Sequence, residues 1–281
     1  MRRYLSLIKF SHTIFAMPFA LIGFFLATET NSVKWDTLFY VVLCMVFARS
    51  AAMAFNRYID RDIDTANPRT SRAREIPNGS IKAKSALIFV LLNCLLFIGT
   101  TSLINPLCSA LSPVALLVIL GYSYTKRFTA LCHLVLGLGL ALAPIGAYLA
   151  VSGKFEILPI LFSLVVLFWV SGFDIIYSLQ DEEFDKAQKL HSIPVLMGKK
   201  DALNFSKFLH LISIIALTFA GTMGEFGKWY WIGFSIFTAL LIYQHASVKI
   251  NDLSKMNLVF FTTNGIASII FGAFVLIDIL N

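Results

Sequence analysis

Asn56, Asp60 and Asp64 recur every four residues in the stretch Asn56-Arg57-Tyr58-Ile59-Asp60-Arg61-Asp62-Ile63-Asp64. On a helix that spacing points three oxygen-bearing side chains the same way from successive turns, and Asp62 falls off their face. A second acidic cluster answers it further along, in Asp174-Ile175-Ile176-Tyr177-Ser178-Leu179-Gln180-Asp181-Glu182-Glu183-Phe184-Asp185. Read as one helix, it brings Asp174, Asp181 and Asp185 to within about 40° of one another, with Glu182 and Glu183 outside. Carboxylates gathered this way repel, by about 3 kcal/mol for two charges about 5 Å apart at an effective dielectric near about 20. They need cations. An all-oxygen donor set favours Mg²⁺, Mn²⁺ or Ca²⁺ over Zn²⁺, and Mg²⁺ takes one or two carboxylates together with phosphate oxygens.

The elements that position these clusters are membrane spans. Of the 281 residues 58% are hydrophobic and 14% charged, with a mean hydropathy of +0.77, too apolar for a soluble surface. A spanning helix takes about 20 apolar residues. Nine candidates fit, at roughly 12–30, 36–58, 84–103, 107–124, 130–151, 157–179, 203–221, 229–247 and 257–279. The expected fold is all-α: a polytopic bundle of about nine transmembrane helices around a central cavity, forming a single domain over 1–281. Cap loops are expected near 65–82 and 182–201. Met1-Arg2-Arg3 before an apolar run looks like a signal peptide, but the run is long enough to span and lacks a clear cleavage site. It is read as the first span, which carries His12, a structural histidine by default. Cys44, Cys94, Cys108 and Cys132 have no paired spacing and are read as packing residues, without disulfides or a thiolate metal site.

With the N-terminus in the cytoplasm, only Lys34, Lys154 and Lys228 fall on the far side and Arg49 inside a span; every other Lys and Arg lies on the cytoplasmic side. This is the positive-inside bias, and it accounts for the net charge of +7 without nucleic acid. Both acidic clusters then end at the cytoplasmic surface. Arg49 lies seven residues before Asn56, on nearly the same face, where an arginine in a membrane needs a polar cavity or an anion; a structural ion pair is the alternative. Arg69, Arg72 and Arg74, between the turn signals Asn67-Pro68 and Pro77-Asn78-Gly79, suit a loop closing over an anion, or serve only topology and lipid head groups. Tyr122 and Lys126 share a face at the end of the fourth span, where the lysine is an anchor or a phosphate ligand. Together these features suggest a Mg²⁺-held diphosphate at the cytoplasmic mouth of an apolar bundle with room for its hydrocarbon. The competing class is an ion-coupled transporter, whose site would sit near the bilayer midplane rather than beside arginines at one surface.

Asn56–Asp64 and Asp174–Asp185 resemble the two Asp-rich motifs of the UbiA superfamily of intramembrane aromatic prenyltransferases, most closely its 4-hydroxybenzoate polyprenyltransferase branch. The likeness extends to NPRT, REIPNG, YSYTK and HSIPVLMG and over essentially the whole chain. Arg57 stands where many members carry Asp, leaving the first cluster one carboxylate poorer. The resemblance implies Mg²⁺ as cofactor, bound by Asn56, Asp60, Asp64, Asp181 and Asp185. It implies a polyprenyl diphosphate and an aromatic acid as substrates, 4-hydroxybenzoate attacked ortho to its hydroxyl or 1,4-dihydroxy-6-naphthoate. Asn56, Arg69, Arg72, Arg74, Tyr177 and Lys186 are the substrate-binding candidates. Asp174 as proton acceptor or orienter, Arg49 as carboxylate partner, and Lys126 and Tyr122 at the diphosphate and cation are the catalytic ones. The resemblance places the protein in the cell (inner) membrane, in contact with lipid, with its active site facing the cytoplasm, and no obligate protein partner is evident.

Overall fold

The structure, a computed structural model, describes residues 2–8, 15–28, 33–248, 250 and 262–281; His12 lies outside them. The described residues contain helices and no β-strand. In chain order the helices are α1 (Arg2–Leu7), α2 (Met17–Thr28), α3 (Trp35–Ile59), α4 (Arg61–Ala66), α5 (Ala83–Ile104) and α6 (Pro106–Thr125). They continue with α7 (Cys132–Ser152), α8 (Ile157–Ser178), α9 (Glu182–Ala187), α10 (Ile193–Met223), α11 (Lys228–Ser247) and α12 (Asn264–Leu280). Among the described residues six of these segments, those of α3, α5, α6, α7, α8 and α10, are long and apolar enough to cross a membrane, and α2 and α12 are shorter apolar helices. In lipid only such internally hydrogen-bonded elements satisfy the backbone, and the chain is a multi-pass membrane protein.

The narrowest joint falls at Asn105. Its side chain accepts from the Cys108 N–H at 2.8 Å and donates to the Leu149 and Ala150 carbonyls at 2.9 and 3.3 Å. One residue thus caps α6 and ties it to the end of α7, while Pro106 in the first turn needs no acceptor. α10 starts at Ile193, ahead of the span predicted from 203. Gly198 interrupts it at φ 79°, ψ 161°, a conformation open essentially to glycine alone.

α8 is the central strut, packed against α7 on one side and α10 on the other. Trp169, fully buried on α8, meets the rings of Phe19, Phe173 and Phe237 at centroid distances of 5.6, 5.2 and 5.5 Å. Its indole N–H donates to Asn264 Oδ1 at 3.2 Å. The aromatic cluster therefore joins α2, α8, α11 and α12 into a tightly filled half. Small residues let neighbouring helices close up: a Cβ added at Gly23 on α2 would overlap the Pro144 carbonyl of α7. Gly23→Ala is accordingly expected to destabilise the detergent-solubilised protein by about 1–3 kcal/mol. Gly99→Ala, which meets nothing within 4 Å, leaves the thermal midpoint unchanged or raises it.

Candidate functional site

α3 carries Asn56 in its last turn and stops at Ile59, and Asp60 caps it at φ −87°, ψ 6° before the chain restarts as α4. The single continuous helix expected through Asn56, Asp60 and Asp64 is therefore corrected. Arg127 supplies the physical reason. Its guanidinium donates to the Ile59 carbonyl at 2.9 Å and to Asp60 Oδ1 and the Ser123 carbonyl, both at 3.0 Å. A terminal carbonyl of α3 finds its donor there instead of in a further helical turn. Asn56 Nδ2 donates to Asp60 Oδ2 at 2.9 Å and its Oδ1 accepts from Arg57 at 3.1 Å. The second cluster breaks in the same way: α8 ends at Ser178, a tight turn covers Leu179–Asp181, and α9 follows. The continuous face predicted for Asp174, Asp181 and Asp185 is corrected too. Both clusters are thus a long helix, a break and a six-residue helix.

Each carboxylate meets its own base. Asp64 pairs with Arg74, and Asp60 with Arg127. Asp181 pairs with Arg69, whose Nε lies 3.1 Å from Asp181 Oδ1. Asp185, with no exposed side-chain surface, has Lys126 Nζ 2.8 Å from its Oδ1. Arg69 also donates to the Tyr177 hydroxyl at 2.9 Å and covers that ring, and Asn67 Nδ2 donates to Asp181 Oδ1 at 3.3 Å. The loop after α4 is thereby stapled to the second cluster, which lies far along the chain. Burial pushes the Asp60 carboxyl above its ordinary value, against the pull of Arg127. Burial lowers the Arg69 guanidinium, but Asp181 and Tyr177 more than offset it and hold it above its ordinary value. The bases expected to face phosphate thus sit on the acids instead. Arg72 and Lys186 are exposed and take no side-chain partner among the described residues.

No group of three or more His, Cys, Asp and Glu side chains lies close enough to hold a metal among the described residues. Asp60, Asp64, Asp181 and Asp185 are each set against a separate cation, which relieves their mutual repulsion. The donor chemistry still fits Mg²⁺. Every candidate ligand offers oxygen, and Asp64 Oδ2 and Asp185 Oδ2 are buried without a hydrogen-bond partner, a demanding state for a carboxylate.

Behind these helix ends a cavity of about 350 Å³ runs between α3, α5, α6 and α7. From Tyr122 to Cys108 on α6 it extends over about 20 Å at the α-helical rise. Arg49 is its one charged residue among the described lining. Arg49 Nε has no hydrogen-bond partner, and no described carboxylate pairs with this guanidinium. Asp174 lies apart from the cavity lining: its Oδ2 is 2.7 Å from His133 Nδ1. Sequence reading missed His133 and Arg127 as site residues. The only signals were a polar residue inside an apolar run and a basic residue counted for topology.

The model of the UbiA prenyltransferase family matches residues 16–266. The 4-hydroxybenzoate octaprenyltransferase of Nitrosomonas europaea is 30% identical over 236 residues, 84% of this chain and 80% of that one. The enzyme of the same name from Aeromonas hydrophila is 28% identical over 242 residues, 86% of this chain and 83% of that one. The apo structure of a UbiA homolog from Aeropyrum pernix superposes with a TM-score of 0.84 at 29% identity, covering 95% of this chain and 98% of that one. A UbiA homolog from Archaeoglobus fulgidus bound to GPP and Mg²⁺ shares the fold, with a TM-score of 0.74 at 21% identity over 99% of this chain and 100% of that one.

The pairing of buried acid and base carries its own test. Lys126→Met strands the Asp185 charge and should cost about 3 kcal/mol of stability. The double variant Lys126→Met, Asp185→Asn should recover most of that in thermal unfolding, because no unpaired charge is left inside.

Proposed function

The chain belongs to the UbiA prenyltransferase family, and on that footing we propose that it moves a polyprenyl group from polyprenyl diphosphate to an aromatic acid, 4-hydroxybenzoate, ortho to the hydroxyl. The observation that carries this reading is Arg49: a half-buried guanidinium whose Nε is buried without a hydrogen-bond partner and with which no described carboxylate pairs, lining an otherwise apolar cavity beside Tyr122. Such a group calls for an anion from outside the chain, and a fork of N–H donors matches a carboxylate. The hydrocarbon tail lies along the apolar walls of α3, α5, α6 and α7. We place the protein in the cell (inner) membrane with nine crossings, its N-terminus and charged helix ends toward the cytoplasm.

Asn56, Asp60, Asp64, Asp181 and Asp185 would hold Mg²⁺, which supplies neutralisation of the charge that develops on a departing diphosphate. Arg69, Arg74 and Lys126 turn from their carboxylates to diphosphate oxygens, with Arg72 and Lys186 at the rim. Tyr177 orients Arg69. The C1–O bond of the prenyl group breaks with its electron pair going to diphosphate. Tyr122 shields the allylic cation, and Arg49 fixes the acceptor by its carboxylate. The ring carbon ortho to the hydroxyl gives its π electrons to C1, and Asp174 takes the proton that this carbon releases.

Membranes containing the protein, incubated with Mg²⁺, geranyl diphosphate and 4-hydroxybenzoate, should yield a ring-prenylated acid by mass spectrometry. Product from 1,4-dihydroxy-6-naphthoate alone would reassign the acceptor, and product from neither acid contradicts the reading. Asp60→Ala or Asp181→Ala should lower turnover by about 10²-fold or more. Arg49→Leu should mainly raise the KM of the aromatic acid.

A further inference from the structure

Asp174 has a partner that the proposed reaction leaves unused. His133, in the first turn of α7 and 3% exposed, lies with Nδ1 2.7 Å from Asp174 Oδ2. The backbone N–H of Ile193, at the start of α10, donates to His133 Nε2 at 3.4 Å. The Ser171 hydroxyl of α8 donates to the His133 carbonyl at 3.1 Å. Cys132 Sγ donates to the His191 carbonyl at 3.6 Å, and the His191 N–H to the Lys126 carbonyl at 2.8 Å. The imidazole is thus held from three helices at once.

The orientation of this ring decides its tautomer. A backbone N–H can only donate, so Nε2 must present its lone pair and the proton sits on Nδ1, aimed at Asp174. That hydrogen bond fixes one carboxylate oxygen of Asp174 from a buried, immobile ring. Asp174 Oδ1 makes no hydrogen bond among the described residues, and the side chain is 23% exposed.

Resting on the reading given under Proposed function, we infer that His133 is the positioning residue for the proton-removal step. It fixes the Asp174 carboxylate by Oδ2 and leaves Oδ1 free to act. When the new bond between the prenyl C1 and the ring carbon has formed, the C–H bond at that carbon breaks. Its electron pair restores the aromatic ring, and its proton goes to Asp174 Oδ1. His133 keeps its Nδ1–H on Asp174 and touches neither substrate.

The experiment compares kcat for 4-hydroxybenzoate and ring-deuterated 4-hydroxybenzoate, with the full chain in detergent, Mg²⁺ and geranyl diphosphate. In the wild type the isotope ratio should stay near one, as expected where cleavage of the C1–O bond limits turnover. His133→Phe keeps the volume and removes the donor. It should lower kcat by about 10²-fold, with an isotope ratio clearly above one and little change in the KM of either substrate. His133→Asn restores an N–H toward Asp174 and should bring the ratio back toward one. A fall in kcat with the ratio still at one, or an unchanged kcat, overturns the inference. So does an isotope effect that persists in His133→Asn; if His133→Phe does not fold, a ratio for His133→Asn that exceeds the wild-type value counts against the inference and a ratio equal to it counts for it. A wild type that prenylates no aromatic acid sinks the underlying reading before any variant is made.

Discussion

The site depends on keeping many carboxylates at one end of an apolar bundle without letting them repel it apart. The chain solves this by pairing. Asp60, Asp64, Asp181 and Asp185 each face a different base, and three of the bases come from segments remote from their acids: Arg127 and Lys126 follow α6, and Arg69 crosses to the second cluster. Those three ion pairs are therefore also tertiary ties, while Arg74 closes locally on Asp64. The loop after α4, the turn after α6 and helix α9 are drawn together by charges that would otherwise drive them apart. The same arrangement stores cationic groups next to the place where a diphosphate would arrive, so that binding exchanges one set of ionic partners for another. Solvent-exposed pairs contribute little to stability, but Asp64 and Asp185 are buried, and for buried pairs the loss of one partner is severe.

The bundle divides into a filled half and a hollow half. On the filled side Trp169, Phe19, Phe237 and Phe271 interdigitate with ring centroids between 5.4 and 5.7 Å apart for the contacting pairs. On the hollow side Ala48, Ala52, Ala115, Gly139, Ala143 and Gly146 line the cavity, and their small volumes are what leaves space between α3, α6 and α7. Packing density is normally uniform in protein interiors. A run of small residues across three helices is how such a space stays open. α8 stands between the two halves and carries Asp174 and Tyr177. A rigid aromatic wall thus fixes the helix that carries Asp174 and Tyr177.

Much of the architecture was legible because membrane burial writes itself into hydropathy. The spans expected at 84–103 and 107–124 leave almost no room between them, and Asn105 caps the second helix in that gap. The two acidic clusters, Arg49 and the Lys126–Tyr122 pair could all be picked out by residue type and spacing. What periodicity could not reveal was where a helix stops. Asn56, Asp60 and Asp64 have helical spacing, yet Arg127 ends α3 at Ile59, and that donor lies far away in sequence. His133 was invisible for a similar reason: its partner is Asp174 on another helix, and only the fold brings them together. The start of α10 ahead of its predicted span reflects Gly198, whose positive φ lets a short apolar turn, Ile193-Pro194-Val195-Leu196-Met197, precede the longer helical run.

The central claim is that the two acidic helix ends take up a diphosphate only together with a divalent cation. Calorimetric titration of the full chain with an unreactive geranyl thiodiphosphate, with Mg²⁺ and with EDTA, measures this directly. The account predicts tight binding in Mg²⁺, weak or no binding in EDTA, and loss of the Mg²⁺ dependence in Asp60→Asn. Binding of equal strength with and without the metal would contradict it, since the arginines and Lys126 would then hold the diphosphate by themselves.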